Sequence, residues 1–241
     1  MTDEFIKNDT PYGARPKSVE YWSQNRQHFS DLYDSEKHFL ESAFKISHSV
    51  LDVGCAAGGG FSIAKDVNPN IEYTGIDVGL NLIQTAQKKY PAGKFLHYDG
   101  TRIPFDDSSF DLVFSLGVVH HIKAWPEFVL EMLRATKKNL VFDMRLTTRP
   151  TLSDEARSFQ KIAFDEKWDG ESIVPYVIVN DLEVKGFLEN LVFEQGLNIA
   201  TYGYWGKPTS LAVTEYDEAF MMSISLLRDA SEPGLDFALK S

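Results

Sequence analysis

An α/β fold, with a mostly parallel seven-stranded sheet wound by helices on both faces and ending in an antiparallel hairpin, is predicted by three features of the sequence. Strand-like apolar runs alternate with helix-periodic segments between Ser49 and Met144, the pattern of a parallel sheet joined by right-handed crossovers. The first run, Val50 to Val53, feeds directly into Gly54-Cys55-Ala56-Ala57-Gly58-Gly59-Gly60, a glycine-rich strand-to-helix turn of the Rossmann-like kind. Two late runs, Leu197 to Tyr204 and Ala219 to Leu227, follow one another without a helical segment between them, so they are expected to pair antiparallel.

The elements follow in order. Residues 1–17 are polar and interrupted by Pro11, Gly13 and Pro16, an arm that orders only where something lies beneath it. From Ser18 to about Ile46, Tyr21, Trp22, Phe29, Leu32, Tyr33, Phe39, Leu40, Ala43 and Phe44 recur at helical spacing, predicting two helices broken near Asp34-Ser35. Strand one is Ser49 to Val53; a helix opens near Gly59 and stops before Pro69; strand two is Ile71 to Ile76. Leu82, Ala86 and Tyr90 mark the next helix, Lys94 to Tyr98 strand three, and Phe110 to Ser115 strand four. Pro126 suits the first turn of a helix whose apolar face is Phe128, Val129, Met132 and Leu133, and strand five runs from Asn139 to Met144. Residues 145–180, with Pro150, Pro175 and scattered charges, break the rhythm and read as an insertion over the C-terminal edge of the sheet. Asn180-Asp181 offers an N-cap, Val184, Phe187, Leu188 and Leu191 an apolar face, and Gly196 a helix end.

Composition narrows the function classes. At 241 residues and 43% hydrophobic side chains, the chain can bury one sizeable core. Thirty-five acidic against 24 basic residues give a formal charge of −11, which opposes a general electrostatic grip on nucleic acid or an anionic membrane. The one cysteine, Cys55, cannot close an internal disulfide. No apolar run approaches the roughly 20 residues of a membrane span, and Met1-Thr2-Asp3-Glu4 lacks the order of a signal peptide. A cytoplasmic protein with neither nucleic-acid nor membrane partners is the expectation; composition leaves the oligomeric state open.

The glycine turn implies a nucleotide-like ligand, since glycine supplies positive φ and lets a ligand approach the main chain. Asp52 precedes the first glycine, where an anionic pyrophosphate held on the following helix N-terminus gains nothing from another negative charge. A cationic ligand gains from it. Gly54, Ala56 and Gly59 also fit a nicotinamide or flavin register, so the turn alone leaves both open. Asp77, in Gly75-Ile76-Asp77 at the end of strand two, is placed to accept ribose hydroxyls or to cap the next helix. Tyr98-Asp99-Gly100 ends strand three, as an adenine-side acid or an ordinary Asp-Gly turn.

Taken together, the order Asp52-Val53-Gly54, Asp77, Asp99-Gly100, then Thr101 to Phe105 and Ser109 to Ser115, resembles the class I S-adenosylmethionine-dependent methyltransferases, type 11 in particular, over about residues 49–144. The family's middle glycine is Ala56 here. The resemblance implies S-adenosylmethionine as cofactor and S-adenosylhomocysteine as product. It implies a cofactor site of Asp52, Gly54, Cys55, Ala56, Gly58, Asp77, Val78, Asp99, Gly100, Ser115, Leu116 and His120. It also divides one methyltransferase domain into arm and helices (1–48), cofactor core (49–144), cap insertion (145–180) and last helix with closing hairpin (181–241).

Methyl transfer from a sulfonium needs mainly positioning and exclusion of water, with a base where the acceptor is a hydroxyl. His120, His121 and Asp143 are the catalytic candidates. Each has a competing role, the histidines as cofactor-pocket wall and Asp143 as an ion-pair partner of Arg145. Adjacent histidines without a His/Glu cluster at ligand spacing give no metal site. Ser115-Leu116-Gly117-Val118 stands where nucleic-acid and glutamine N-methylases carry Asp/Asn-Pro-Pro-Tyr. A small-molecule acceptor is therefore expected, methylated on oxygen or nitrogen and held between residues 1–45 and 145–180. The rivals are another group transfer from the same cofactor, a non-catalytic cofactor-binding module and, more distantly, an NAD-dependent dehydrogenase.

Overall fold

The computed structural model describes residues 9–163, 167–228 and 231–239. The first eight residues of the expected arm, three of the expected insertion and the last two of the chain lie outside the described residues.

Seven strands form the body of one sheet. They are β1 (Ser49–Val53), β2 (Glu72–Asp77), β3 (Lys94–His97), β4 (Phe110–Ser115), β5 (Thr136–Thr147), β9 (Asn198–Gly206) and β11 (Ala219–Leu227), in the order β9-β11-β5-β4-β1-β2-β3. The first five are mutually parallel, while β11 runs antiparallel to both β5 and β9. Two short strands extend this sheet: β12 (Gly234–Asp236) adds parallel to β9, and β8 (Val179–Asn180) pairs with β5.

Helices cover both faces. On one, α2 (Asp34–Ile46), α3 (Gly59–Val67) and α4 (Leu80–Lys89) pack Leu40, Phe44, Ile63, Ile83 and Ala86 against Val50, Tyr73 and Phe114. On the other, α5 (Trp125–Ala135) and α6 (Asp181–Gln195) pack Val129, Met132, Leu133, Val184 and Leu188 against Leu51, Val113, Leu140 and Ile224. Each fully buried Leu, Ile or Phe contributes about 1.5–3 kcal/mol, so the doubly covered sheet is a rigid base for what its C-terminal edge carries.

Four local readings needed correction. The N-terminal helices break earlier than Asp34-Ser35: α1 (Pro16–Gln24) is followed by a short 3-10 turn at Phe29–Asp31, and Asp34 begins α2. Glu36 makes that start, its carboxylate accepting the Tyr33 N–H, and the acids of the first turn favour the helix dipole. Strand two is shifted by one residue to Glu72–Asp77, because the Ile71 N–H is turned to Asn68. Strand five extends three residues beyond Asn139–Met144 at each end, where Thr136 pairs with Phe110 of β4 and Leu146 with both Phe220 of β11 and Val179 of β8. The insertion is not irregular. Its strands β6 (Ser158–Lys161) and β7 (Ile173–Pro175) join β10 (Ala212–Thr214), from the excursion between β9 and β11, in a three-stranded antiparallel sheet.

The register fixes the site. Asp52 stands opposite Gly75 on one side and Phe114 on the other, and the N–H groups of Gly54 and Cys55 both bond the Ile76 carbonyl. The ends of β1, β2, β4 and β5 therefore open on the same edge.

Candidate active site

At that edge Gly54 adopts φ +83°, and a side chain there would meet Val118. Gly60 is required for a different reason: a Cβ would lie 2.1 Å from Asp52 Oδ2. Ala56, in the place of the family's glycine, takes φ +45°, a left-handed conformation disfavoured for alanine by about 1 kcal/mol. Its N–H compensates by donating to Asp77 Oδ2 at 2.9 Å. The other Asp77 oxygen accepts from Gly79 N at 2.7 Å. One carboxylate thus joins the glycine turn to the start of α4, and its burial raises the pKa while both amides lower it.

Asp52 is buried and accepts the Tyr73 hydroxyl at 2.5 Å. Burial lifts its carboxyl to about 7, with the Tyr73 bond opposing the rise and Asp77 adding to it. It lines a cavity of about 60 Å³ with Trp22, Arg26, Gly54, Ala56 and Leu116. A buried carboxyl held near neutrality beside open main chain suits a cationic ligand. Val78 is partly exposed, and Gly100, at φ +81°, would bring a side chain to 3.1 Å from it.

Other residues of the expected cofactor set make contacts within the chain. Asp99 is in an Asp-Gly turn, its Oδ1 accepting Thr101 N at 2.9 Å and Thr101 Oγ at 2.6 Å. Ser115 is fully buried and donates its hydroxyl to the Val53 carbonyl, tying β4 to β1. The Cys55 side chain packs into the core below Gly75, where burial pushes its thiol up, and its Sγ donates to the Ala56 carbonyl at 3.7 Å. Gly58 is the left-handed N-cap of α3.

A second polar group lies beyond β4. His120 and His121 belong to a 3-10 turn, Val119–His121. Pro175 on β7 presents its carbonyl 2.6 Å from His121 Nδ1. That nitrogen must carry the proton, which leaves Nε2 a bare acceptor. Nε2 stands 3.3 Å from the Tyr12 hydroxyl, and Gln160 Nε2 on β6 donates to the same hydroxyl at 3.1 Å. Burial, with Arg145 adding, depresses the His121 imidazolium to about 4 against the opposing effects of Pro175 and Asp143. The ring is neutral at neutral pH.

His120 is more enclosed. Its Nδ1 has no hydrogen-bond partner among the described residues, its carbonyl accepts from Val177 N, and burial holds its pKa well below the ordinary value. Asp143 is fully committed: Oδ1 accepts Gly117 N at 2.5 Å and Oδ2 accepts Arg145 Nη1 at 2.6 Å. Of the three catalytic candidates, His121 alone presents a lone pair to a hydroxyl.

Several contributors carry no sequence signal. Gln160 and the Pro175 carbonyl come from the insertion, and no motif marks them. Arg26, at φ +52°, donates from one nitrogen to both oxygens of Glu36 at 2.7 Å, and Glu36 is 1% exposed. Only the exceptional burial of an acid on the apolar face of α2 reveals this pair. Among the described residues no group of His, Cys, Asp or Glu is arranged to hold a metal, and no helix is long and apolar enough to cross a membrane.

A sheet with this strand order, a glycine turn after β1, an acid ending β2 and an antiparallel strand beside β5 define the class I S-adenosylmethionine-dependent methyltransferase fold. Residues 51–142 match the family described as methyltransferase domain. Among solved structures, an S-adenosylmethionine-dependent methyltransferase from Methanosarcina mazei superposes with a TM-score of 0.57 at 14% identity, covering 82% of this chain and 98% of that one. An O-methyltransferase of a Brevibacillus brevis multienzyme, in complex with S-adenosyl-L-homocysteine, gives 0.54 at 12% identity, covering 78% and 71%. Among curated proteins, the phthiotriol/phenolphthiotriol dimycocerosates methyltransferase of Mycobacterium leprae is 32% identical over 90 residues, 36% of this chain and 33% of that protein. The 2-phytyl-1,4-naphtoquinone methyltransferase of Nostoc punctiforme is 30% identical over 131 residues, 50% and 55% of the two chains. The matches span about a third to just over half of these relatives' length. Residues 51–142 thus match a methyltransferase domain, on a fold shared with class I methyltransferases.

Proposed function

We propose that the chain methylates an oxygen of a small molecule, bound between the N-terminal arm and helices (1–48) and the cap insertion (145–180), with His121 as the general base. The observation that carries this reading is the fixed tautomer: Pro175 holds the proton on Nδ1, so Nε2 is unprotonated and aimed at a hydroxyl. S-adenosylmethionine supplies a methyl group on a sulfonium, whose C–S bonding pair stays with sulfur. Asp52, Asp77 and the Gly54–Gly60 turn bind it, with Val78, Gly100 and Leu116 along its flanks. His121 Nε2 takes the acceptor's hydroxyl proton as the oxygen gains the methyl group. Asp143 acts through position, holding the Gly117 loop beneath the histidines.

The relatives' names, a phthiotriol/phenolphthiotriol dimycocerosates methyltransferase and a 2-phytyl-1,4-naphtoquinone methyltransferase, support a small-molecule acceptor. A panel of hydroxylated acceptors, read by S-adenosylhomocysteine release, tests the reading. His121→Ala is expected to lower kcat by about 10²–10⁴-fold while leaving S-adenosylhomocysteine affinity unchanged. Unaltered kcat removes His121 from the chemistry, and methylthioadenosine as product would replace methyl transfer by another group transfer.

A further inference from the structure

The arm carries a hydroxyl of its own to His121. Residues 10–14 form a tight turn, closed by the bond from Ala14 N to Thr10 O, with Tyr12 at its tip. The turn is pinned from both sides. Asp9 accepts from Leu80 N at 3.0 Å and Asn81 N at 2.7 Å, and Asn81 Nδ2 holds the Gly13 carbonyl at 3.0 Å. Arg15 pairs with Asp169 and donates to Ser172 Oγ at 2.7 Å. Held so, the Tyr12 ring meets Trp22 edge to face at 6.1 Å and tilts against His121 at 6.0 Å. Its oxygen lies between an acceptor, His121 Nε2, and a donor, Gln160 Nε2.

That arrangement satisfies both sides of a hydroxyl, the proton going to His121 and a lone pair receiving Gln160. Gln160 is itself about nine-tenths buried, so removing the phenol without replacement would leave its amide donor unsatisfied, an expensive state. Whatever enters must restore the same bonds. The slot is walled by Trp22 and the imidazole of His121, surfaces that favour a flat ring over an alkyl chain.

Resting on the His121 reading above, we propose that Tyr12 is an intramolecular stand-in for the acceptor. The methyl-accepting group is a phenolic hydroxyl on a planar ring, read by His121 Nε2 and Gln160 Nε2, and it enters by displacing the Tyr12 turn. Neither the glycine turn nor the cofactor acids take part in this recognition, so it is separable from cofactor binding.

The test uses p-cresol, the side chain of tyrosine as a free molecule, with toluene as the ring without its hydroxyl. Calorimetric titrations are run on the full chain with and without S-adenosylhomocysteine. In Tyr12→Ala, p-cresol is expected to bind at least tenfold tighter than to the wild type and at least tenfold tighter than toluene. Adding Gln160→Leu should cut the preference over toluene to a few-fold. Should Tyr12→Ala fail to fold, Tyr12→Phe keeps the ring but loses both hydrogen bonds, and should bind p-cresol several-fold tighter than the wild type. Equal p-cresol affinity in wild type and variant, or equal affinity for p-cresol and toluene in Tyr12→Ala, overturns the proposal. Failure of the methyltransferase reading appears elsewhere, as absence of S-adenosylhomocysteine binding, and failure of the base assignment as full turnover by His121→Ala.

Discussion

Cofactor binding is expected to expel a proton from Asp52. Burial lifts this carboxyl to about 7, so at pH 6.5 it is about three-quarters protonated. A cation seated in the cavity that Asp52 lines favours the carboxylate. Binding at pH 6.5 should then release about 0.7 proton, and affinity should fall about tenfold between pH 8 and pH 6, about 1.4 kcal/mol. Calorimetric titration with S-adenosylmethionine, whose sulfonium and ammonium are both cations, in phosphate and in imidazole, buffers of different ionisation enthalpy, reads the proton directly. At pH 6.5 the ligand's own ammonium, with an unperturbed pKa of about 7.7–8.0, stays mostly protonated and does not contribute. Asp52→Asn should abolish the release and flatten the profile. The Asp77 carboxyl, also raised by burial, remains in that variant and would preserve the release if it were the source. Equal enthalpies in the two buffers for the wild-type chain would refute the reasoning. The sign for folding is opposite: the folded chain keeps a proton that the unfolded chain has lost, so Asp52 costs the unliganded fold stability as pH rises from about 4 through about 7.

Asp77→Ala should weaken S-adenosylhomocysteine binding by about 1.5–3 kcal/mol and lower Tm, because the same carboxylate holds Ala56 N and Gly79 N; lower Tm with unchanged affinity would confine Asp77 to the turn. Glu36→Ala leaves the Arg26 guanidinium without its buried carboxylate and should cost about 3–5 kcal/mol in urea unfolding. A loss below about 1 kcal/mol would mean that solvent already screens the pair.

The sheet was legible because its information is local. β1 and β4 are largely apolar runs and β2 carries Tyr73 and Ile76 before its acid, each is bounded by its own turn signal, and both faces of these strands are covered, so pattern and burial agree. β11 was legible for the same reason, with eight of its nine residues buried or half-buried. The short strands β6, β7 and β10 carry no such signature: they contain two or three half-buried residues each, and β6 pairs with β7 12–16 positions away and with β10 52–56 positions away. Sequence spacing cannot report a contact whose two halves are set by the length of the intervening chain.

The same division runs through the site. Asp52 and Asp77 announced themselves because an acid at the end of an apolar strand has few structural excuses, and they lie at the C-terminal edge with Gly54 and Ala56. The double histidine was visible, but its two rings were indistinguishable until the carbonyl of Pro175, 54 residues away, fixed the tautomer of one. Asp143 shows the same dependence: at the end of β5 it accepts Gly117 N on one oxygen and Arg145 on the other, the ion pair that its spacing from Arg145 also suggested. Residue type identifies who can ionise; only the hydrogen-bond partners decide which lone pair is left to accept a proton. On that criterion His121 stands apart, and the groups around it, Tyr12, Gln160 and the Pro175 carbonyl, come from the arm and the insertion, the least patterned stretches of the chain.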